Sequence, residues 1–135
     1  MAKGYVVNLE ELTEKNTNFR KVLYTAHHSQ LVLMSLKPGE EIGMEVHPDN
    51  DQFLRIEEGE GTAIIDGNEQ SFGSGFCIVI PAGSQHNIIN TSSDKEVKLY
   101  TVYSPAHHRL DVVHPTKADA EADEGHEEFD GRTSE

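Results

Sequence analysis

The feature that most constrains this chain is its punctuation. Short apolar or alternating runs fall near residues 19–25, 31–36, 42–47, 53–57, 62–66, 76–80, 86–90 and 97–103, at roughly ten-residue spacing, with turn residues between them. Those breaks are Lys37-Pro38-Gly39, Pro48-Asp49-Asn50-Asp51, Glu58-Gly59-Glu60-Gly61, Asp66-Gly67 and Pro81-Ala82-Gly83. Gly, Pro, Asn and Asp supply the backbone angles that tight turns need. Asp66-Gly67 is the sharpest signal, because both central residues of a two-residue hairpin turn take positive φ. Eight short strands at this spacing describe an all-β sandwich or barrel.

The ends read differently. Asn8 followed by Glu11 reads as a capped helical turn over Leu9–Leu12, and Thr116 with Asp119 has the look of a capping box opening a short C-terminal helix. Residues 118–135 hold eight acids and one base, Arg132, so the segment beyond Gly125 reads as a solvated, mobile tail. The expected organisation is one barrel domain over 1–115 and a helix plus acidic tail over 116–135.

At 135 residues there is room for one core, not two. The net charge of −13 opposes binding to nucleic-acid phosphates or to an anionic membrane, and the expected partner is a small molecule. No run is long and apolar enough for a membrane span, and no signal-peptide pattern is visible at the N-terminus, so the expected compartment is the cytoplasm. The single cysteine, Cys77, excludes an internal disulfide or a multi-cysteine metal site and is expected as a small buried apolar residue.

Chemistry, if present, rests with the eight histidines. Glu45 and His47, two apart in a strand, point to one face; Gln52 opens the next strand after a tight turn, and His86 begins a later one with Asn90 on its own face. In a closed barrel these side chains meet inside, and a mixed set of carboxylate, imidazole and amide suits a first-row divalent cation.

The framework around them has fixed spacing. Gly39-x5-Glu45-x-His47-x4-Gln52-x6-Gly59 is one unit, and Gly75-x5-Pro81-x-Gly83-x2-His86-x3-Asn90 is the other, with 15 residues between. Together these resemble the two motifs of the cupin superfamily. The second unit agrees at every fixed position; in the first, Glu45 stands in a histidine position and Gln52 in the glutamate position. The resemblance covers roughly residues 31–103 and implies a double-stranded β-helix, or jelly-roll, barrel. Carried over position by position, it implies Glu45, His47, Gln52 and His86 as metal ligands. Asp49 as a ligand in place of Glu45 fits less well, because that register displaces Gly39 and sets Pro48 inside the strand.

Two imidazoles, one carboxylate and one amide carry the single negative charge of the usual three-histidine, one-glutamate set. They suit Zn, Mn, Fe or Ni, with Zn slightly favoured. The inventory also resembles that of zinc-dependent phosphomannose isomerases, implying a metal-dependent isomerase acting on a small sugar or sugar phosphate. The alternatives are an Fe- or Ni-dependent dioxygenase using Glu45, His47 and His86, and a cupin that binds a small ligand without turnover. Lys37, Arg55 and Lys98 are scattered and form no phosphate-gripping cluster. Tyr100 and Tyr103 lie in the last strand; one of them could face the pocket, but a core or interface aromatic is the simpler reading. Ser104-Pro105-Ala106-His107-His108 ends that strand and could cap the barrel mouth, with an exposed loop as the simpler expectation. The resemblance further implies a homodimer, with Tyr5-Val6-Val7, Phe19 and Val22-Leu23-Tyr24 as apolar contact material.

Overall fold

A computed structural model describes residues 4–135. Two antiparallel sheets face each other. The larger takes the order β10-β1-β2-β9-β4-β7 and the smaller the order β3-β8-β5-β6. The strands run β1 Arg20–Thr25, β2 Gln30–Leu36, β3 Glu45–Val46, β4 Asp51–Glu58, β5 Gly61–Ile65, β6 Asn68–Phe72, β7 Cys77–Ile80, β8 Gln85–Asn90, β9 Val97–Ser104 and β10 Val113–His114. Helix α1 is Leu9–Lys15 and α2 is Lys117–Ala122.

Alternation sets the interior. On β4, Gln52, Leu54 and Ile56 turn inward, and on β9 Val97, Leu99, Thr101 and Tyr103 do the same. Val32, Met34 and Leu36 of β2 share one buried cluster with Ile78 and Ile80 of β7 in the same sheet and with Ile88 of β8 in the facing sheet. Arg55 faces outward beside Glu57, as alternation from Gln52 requires. The interior is thus apolar at one end and polar at the other, where Gln52, Thr101, Tyr103 and His86 lie. The outer face of the large sheet is covered by α1: Lys98, 5% exposed, donates from Nζ to the Asn16 carbonyl at 2.6 Å and to Ser35 Oγ at 3.0 Å.

Both helices start where the caps put them. The Asn8 side chain accepts from the Glu11 amide at 3.1 Å, although the helix runs for seven residues rather than one turn. Thr116 and Asp119 cap reciprocally. Asp66 and Gly67 take φ of 48° and 82° and join Ile65 to Asn68 in the expected hairpin.

Four expectations change. Strand β6 (Asn-Glu-Gln-Ser-Phe) carries no apolar alternation because only Phe72 is buried, yet the hairpin pairs it with β5 throughout. The run at 42–47 yields only a two-residue strand, since Gly43 at φ 110° breaks the ladder and donates its amide to Asn87 Oδ1 instead. Cys77 is exposed, not buried: β7 is a sheet edge whose inward residues are Ile78 and Ile80. The acidic segment beyond Gly125, expected to be free, is hydrogen-bonded back onto the barrel. The Arg109 amide donates to the Glu127 carbonyl, the Phe129 amide to the His107 carbonyl, and the Ser134 amide to the Thr25 carbonyl. Backbone pairing there does what side-chain hydrophobicity does elsewhere, so composition alone gives no sign of it.

Gly59 has a packing reason for being glycine. Its φ is 98°, and a Cβ there would lie 2.5 Å from the Glu96 carbonyl oxygen and 2.9 Å from Val97 Cα. Gly59→Ala is therefore expected to destabilise the protein by about 3 kcal/mol, combining overpacking with backbone strain. Urea unfolding checks this; a midpoint unchanged from the parent contradicts the packing account.

Candidate metal centre

The centre is built by strand register. Glu45 on β3 lies directly opposite His86 on β8, and the carbonyl of His47 accepts from the Gly83 amide at 3.0 Å, tying the β3 end to the turn before β8. The imidazole and carboxylate ligand atoms of Glu45, His47 and His86 all fall within 4.8 Å of one another. His47 and His86 are buried and their ring centroids are 5.1 Å apart. Asp49 is exposed in the following turn and takes no part.

Each side chain presents an acceptor. His86 Nδ1 lies 3.0 Å from the Ser84 carbonyl; a carbonyl can only accept, so Nδ1 carries the proton and the Nε2 lone pair is free. His47 Nε2 is buried and faces the Glu45 carboxylate, with Oε2 at 3.0 Å. Gln52 sits opposite Tyr103 on β9; its Nε2 donates to Thr101 Oγ1 at 3.0 Å, while its Oε1 is buried with no partner. Buried polar atoms are nearly always paired. An unpaired buried amide oxygen, together with a carboxylate and two buried imidazoles, is what a bound cation would satisfy. The residues present fit a divalent metal ion held by Glu45, His47 and His86, with Gln52 Oε1 as the fourth donor.

Burial raises the Glu45 carboxyl, but neighbouring His47, then Arg20 and His86, more than reverse this and hold it below the usual range. The carboxylate is thus kept ionised for a cation.

Asn90 has a different task. Its amide donates to the carbonyls of Leu36, Lys37 and Lys95, and its Oδ1 accepts from the Ser92 amide. It closes the apolar end of the barrel and is not part of the centre.

The wall of the site follows the less favoured of the sequence alternatives. Tyr103 is 2% exposed and its ring lies 5.7 Å from that of His47; Tyr100 packs outside against Phe53. His107, more simply expected in an exposed loop, lies tilted against His47 with ring centroids 4.2 Å apart, and His108 packs edge-on against Tyr103. The loop is held in place by a buried amide. Gln30 Nε2 donates to Thr25 Oγ1 at 2.9 Å and to the His108 carbonyl at 2.7 Å, and its Oε1 accepts from the amides of His107 and His108. Asn50 adds a bond to the Pro105 carbonyl at 2.7 Å. The doublet itself was the available signal: adjacent histidines leaving an inward-facing strand end.

Burial, with the field of His47 next, lowers the His107 pKa to about 4 from an ordinary 6.5. His108 is pushed down chiefly by burial, and the Tyr103 hydroxyl is raised by it. A histidine with a depressed native pKa binds fewer protons folded than unfolded between those two values. Stability is then fully present above about pH 6.5 and declines as pH falls toward about 4. Thermal unfolding of metal-free protein across this window is expected to show that decline, with a shallower slope in His107→Gln. An unchanged slope in that variant contradicts the assignment.

Beside the centre a cavity of about 360 Å³ opens to solvent, with Arg20, Met44, Glu45, His107 and His108 on the barrel side. Its other wall is the C-terminal segment, through Lys117, Ala120, Glu121, Glu124 and Glu127. No helix among the described residues is long and apolar enough to cross a membrane.

Comparison with known proteins agrees with this architecture. The chain is 52% identical over 117 residues to the uncharacterized protein L612 of Acanthamoeba polyphaga mimivirus, covering 82% of this chain and 73% of that one. It is 44% identical over 128 residues to the uncharacterized protein YrkC of Bacillus subtilis, covering 90% and 68% respectively. The crystal structure of BH2720 from Bacillus halodurans superposes with a TM-score of 0.86 at 42% identity, over 89% of this chain and 95% of that one. Residues 32–103 match the Cupin domain family, and they contain both glycine-framed units with Glu45, His47, Gln52 and His86; the chain belongs to the cupins.

Proposed function

We propose that this cupin binds a divalent metal ion through Glu45, His47, His86 and Gln52 and acts on a small sugar or sugar phosphate as an aldose–ketose isomerase. The observation that carries the reading is the convergence of ligand atoms from Glu45, His47 and His86 within 4.8 Å of one another, with Gln52 Oε1 buried and unpartnered. A metal ion bound there supplies Lewis acidity toward a carbonyl or hydroxyl oxygen of the ligand. Isomerisation also needs a group that takes a proton from one carbon and returns it to the next. His107, its pKa lowered mainly by burial, stands at the cavity beside His47 as an uncharged imidazole at neutral pH. Tyr103, whose hydroxyl keeps its proton, packs against the rings of His47 and His107. Glu121, Glu124 and Glu127 offer acceptors for sugar hydroxyls.

The test is proton NMR of zinc- and manganese-loaded protein in D2O with a panel of aldoses, ketoses and their phosphates. The expected result is deuterium entering at the carbon next to the carbonyl, accompanied by aldose–ketose interconversion and abolished in His107→Ala. No exchange across the panel, with ligand-dependent oxygen uptake by iron-loaded protein, replaces this reading with a dioxygenase. We also propose a homodimer. Val6 is 99% exposed and Val7 half-exposed, beside Tyr5 stacked on Tyr24 of β1, leaving apolar surface for a partner to cover. Light scattering at micromolar concentration should give twice the chain mass; a monomer rejects it.

A further inference from the structure

Arg20 is a buried cation without a counter-ion. It is 5% exposed, and among the described residues no carboxylate lies at ion-pairing distance from it. Its guanidinium is held from two sides. Nη1 faces His114 Nδ1 at 3.4 Å, and the guanidinium carbon lies 5.3 Å from the centre of the Phe19 ring. His114 in turn is 2.9 Å from Asp123 Oδ2 through Nε2, so its proton sits there and its Nδ1 lone pair is turned to the arginine. That chain fixes the guanidinium from behind and leaves Nε buried without a partner. Both ring nitrogens of neighbouring His108 are likewise buried and unpaired, so at least one further N–H donor is unsatisfied in the same place.

An uncompensated buried charge is destabilising, and a ligand oxyanion beside it would offset that cost. Arg20 lines the cavity beside the metal centre, together with Lys117 of α2, and its charge is felt by Glu45, Tyr103, His107 and His108 alike. The other charged groups of the cavity are acids. Glu45 belongs to the metal centre, Glu121 and Glu124 are exposed at the rim, and Glu127 is half-buried in the tail. The cavity therefore offers one fixed guanidinium at depth and hydrogen-bond acceptors at the edge. Such a site suits a polyhydroxylated molecule that bears an oxyanion.

We infer that Arg20, assisted by Lys117 and His108, is the anchor for an oxyanion of the ligand, a phosphate or carboxylate group. The inference rests on the sugar or sugar-phosphate reading in naming the rest of the ligand, but the anion site is testable by itself. A bidentate guanidinium–oxyanion contact orients the ligand's other end toward Glu45, His47 and His86.

Calorimetric titration with inorganic phosphate and, separately, acetate tests this on zinc-loaded and on chelator-stripped protein. The expected result is saturable binding of at least one anion in both forms. Binding should weaken about tenfold or more in Arg20→Gln, less in Arg20→Lys, and also in the wall variant Lys117→Glu, which leaves the buried strand intact. Tighter phosphate assigns a phosphate ester; tighter acetate assigns a carboxylate. Binding only in the zinc-loaded form, unaffected by Arg20→Gln, means the anion sits on the metal and overturns the inference, as does failure of both anions to bind. Arg20→Gln protein that no longer folds leaves Arg20→Lys and Lys117→Glu to decide. Anion binding that survives a failed isomerase assay removes the sugar reading and leaves the anchor standing.

Discussion

Replacing His47 and His86 together by alanine is expected to lower the affinity for a divalent metal at least about 100-fold, since loss of even one supporting contact at such a site costs 10–100-fold. The barrel itself should survive. The side chains removed lie at the polar end of the interior, away from Val32, Met34, Leu36, Leu54 and Ile56, each 0% exposed in the apolar core. The measurement is elemental analysis of purified protein after equilibration with limiting zinc, alongside far-ultraviolet circular dichroism. Single variants grade the contributions. Gln52→Leu, which removes an unpartnered acceptor and a hydrogen bond to Thr101, should weaken binding less than either histidine, because a neutral amide oxygen is the poorest donor of the four. Full retention of metal by the double variant would remove the basis for the proposed chemistry and leave only the fold.

The second large effect concerns stability and the site at once. Gln30→Leu is expected to destabilise the protein by about 3–5 kcal/mol. The side chain is 1% exposed, and its loss strands the amides of His107 and His108, the His108 carbonyl and the Thr25 hydroxyl. Replacing an amide by an apolar group of like shape removes one partner from each of several buried bonds, the costly case. Because the same bonds place His107 against His47, Gln30→Leu should also abolish any isomerisation while leaving zinc content unchanged. Chemical denaturation and metal analysis on the same sample separate the two effects. A loss below about 1 kcal/mol would show that the His107–His108 loop is held by something other than this amide.

How far the sequence foretold this arrangement depended on the kind of signal. The turns were legible because they carry their own chemistry: Asp66-Gly67 forms the hairpin its positive φ angles demand, and Thr116 caps α2. Strand alternation placed Gln52 inward and Arg55 outward, and the spacing of the glycine-framed units brought Glu45, His47 and His86 together. What stayed hidden depends on contacts distant in sequence. Strand β6 is polar because it lies at an edge in water, and only its pairing with β5 makes it a strand. Cys77 sits in an apolar run of which one face is uncovered. Arg20 has no local signature, and His107 has only its place in a histidine doublet. Arg20 looks like an ordinary first residue of a strand until His114, 94 positions on, closes behind it. His107 looks like a loop residue until Gln30, 77 positions earlier, pins its amide. The acidic tail reads as free because its anchoring bonds are made by backbone atoms.

The central claim is that four side chains from β3, its following turn, β4 and β8 hold one cation at the polar end of the barrel. Anomalous diffraction from crystals of zinc-equilibrated protein tests it most directly. The account predicts one strong peak bounded by Glu45, the Nε2 atoms of His47 and His86, and Gln52 Oε1, with His107 on its open side. Stoichiometric zinc located elsewhere, with His47 Nε2 and Gln52 Oε1 satisfied by ordered water, would contradict it.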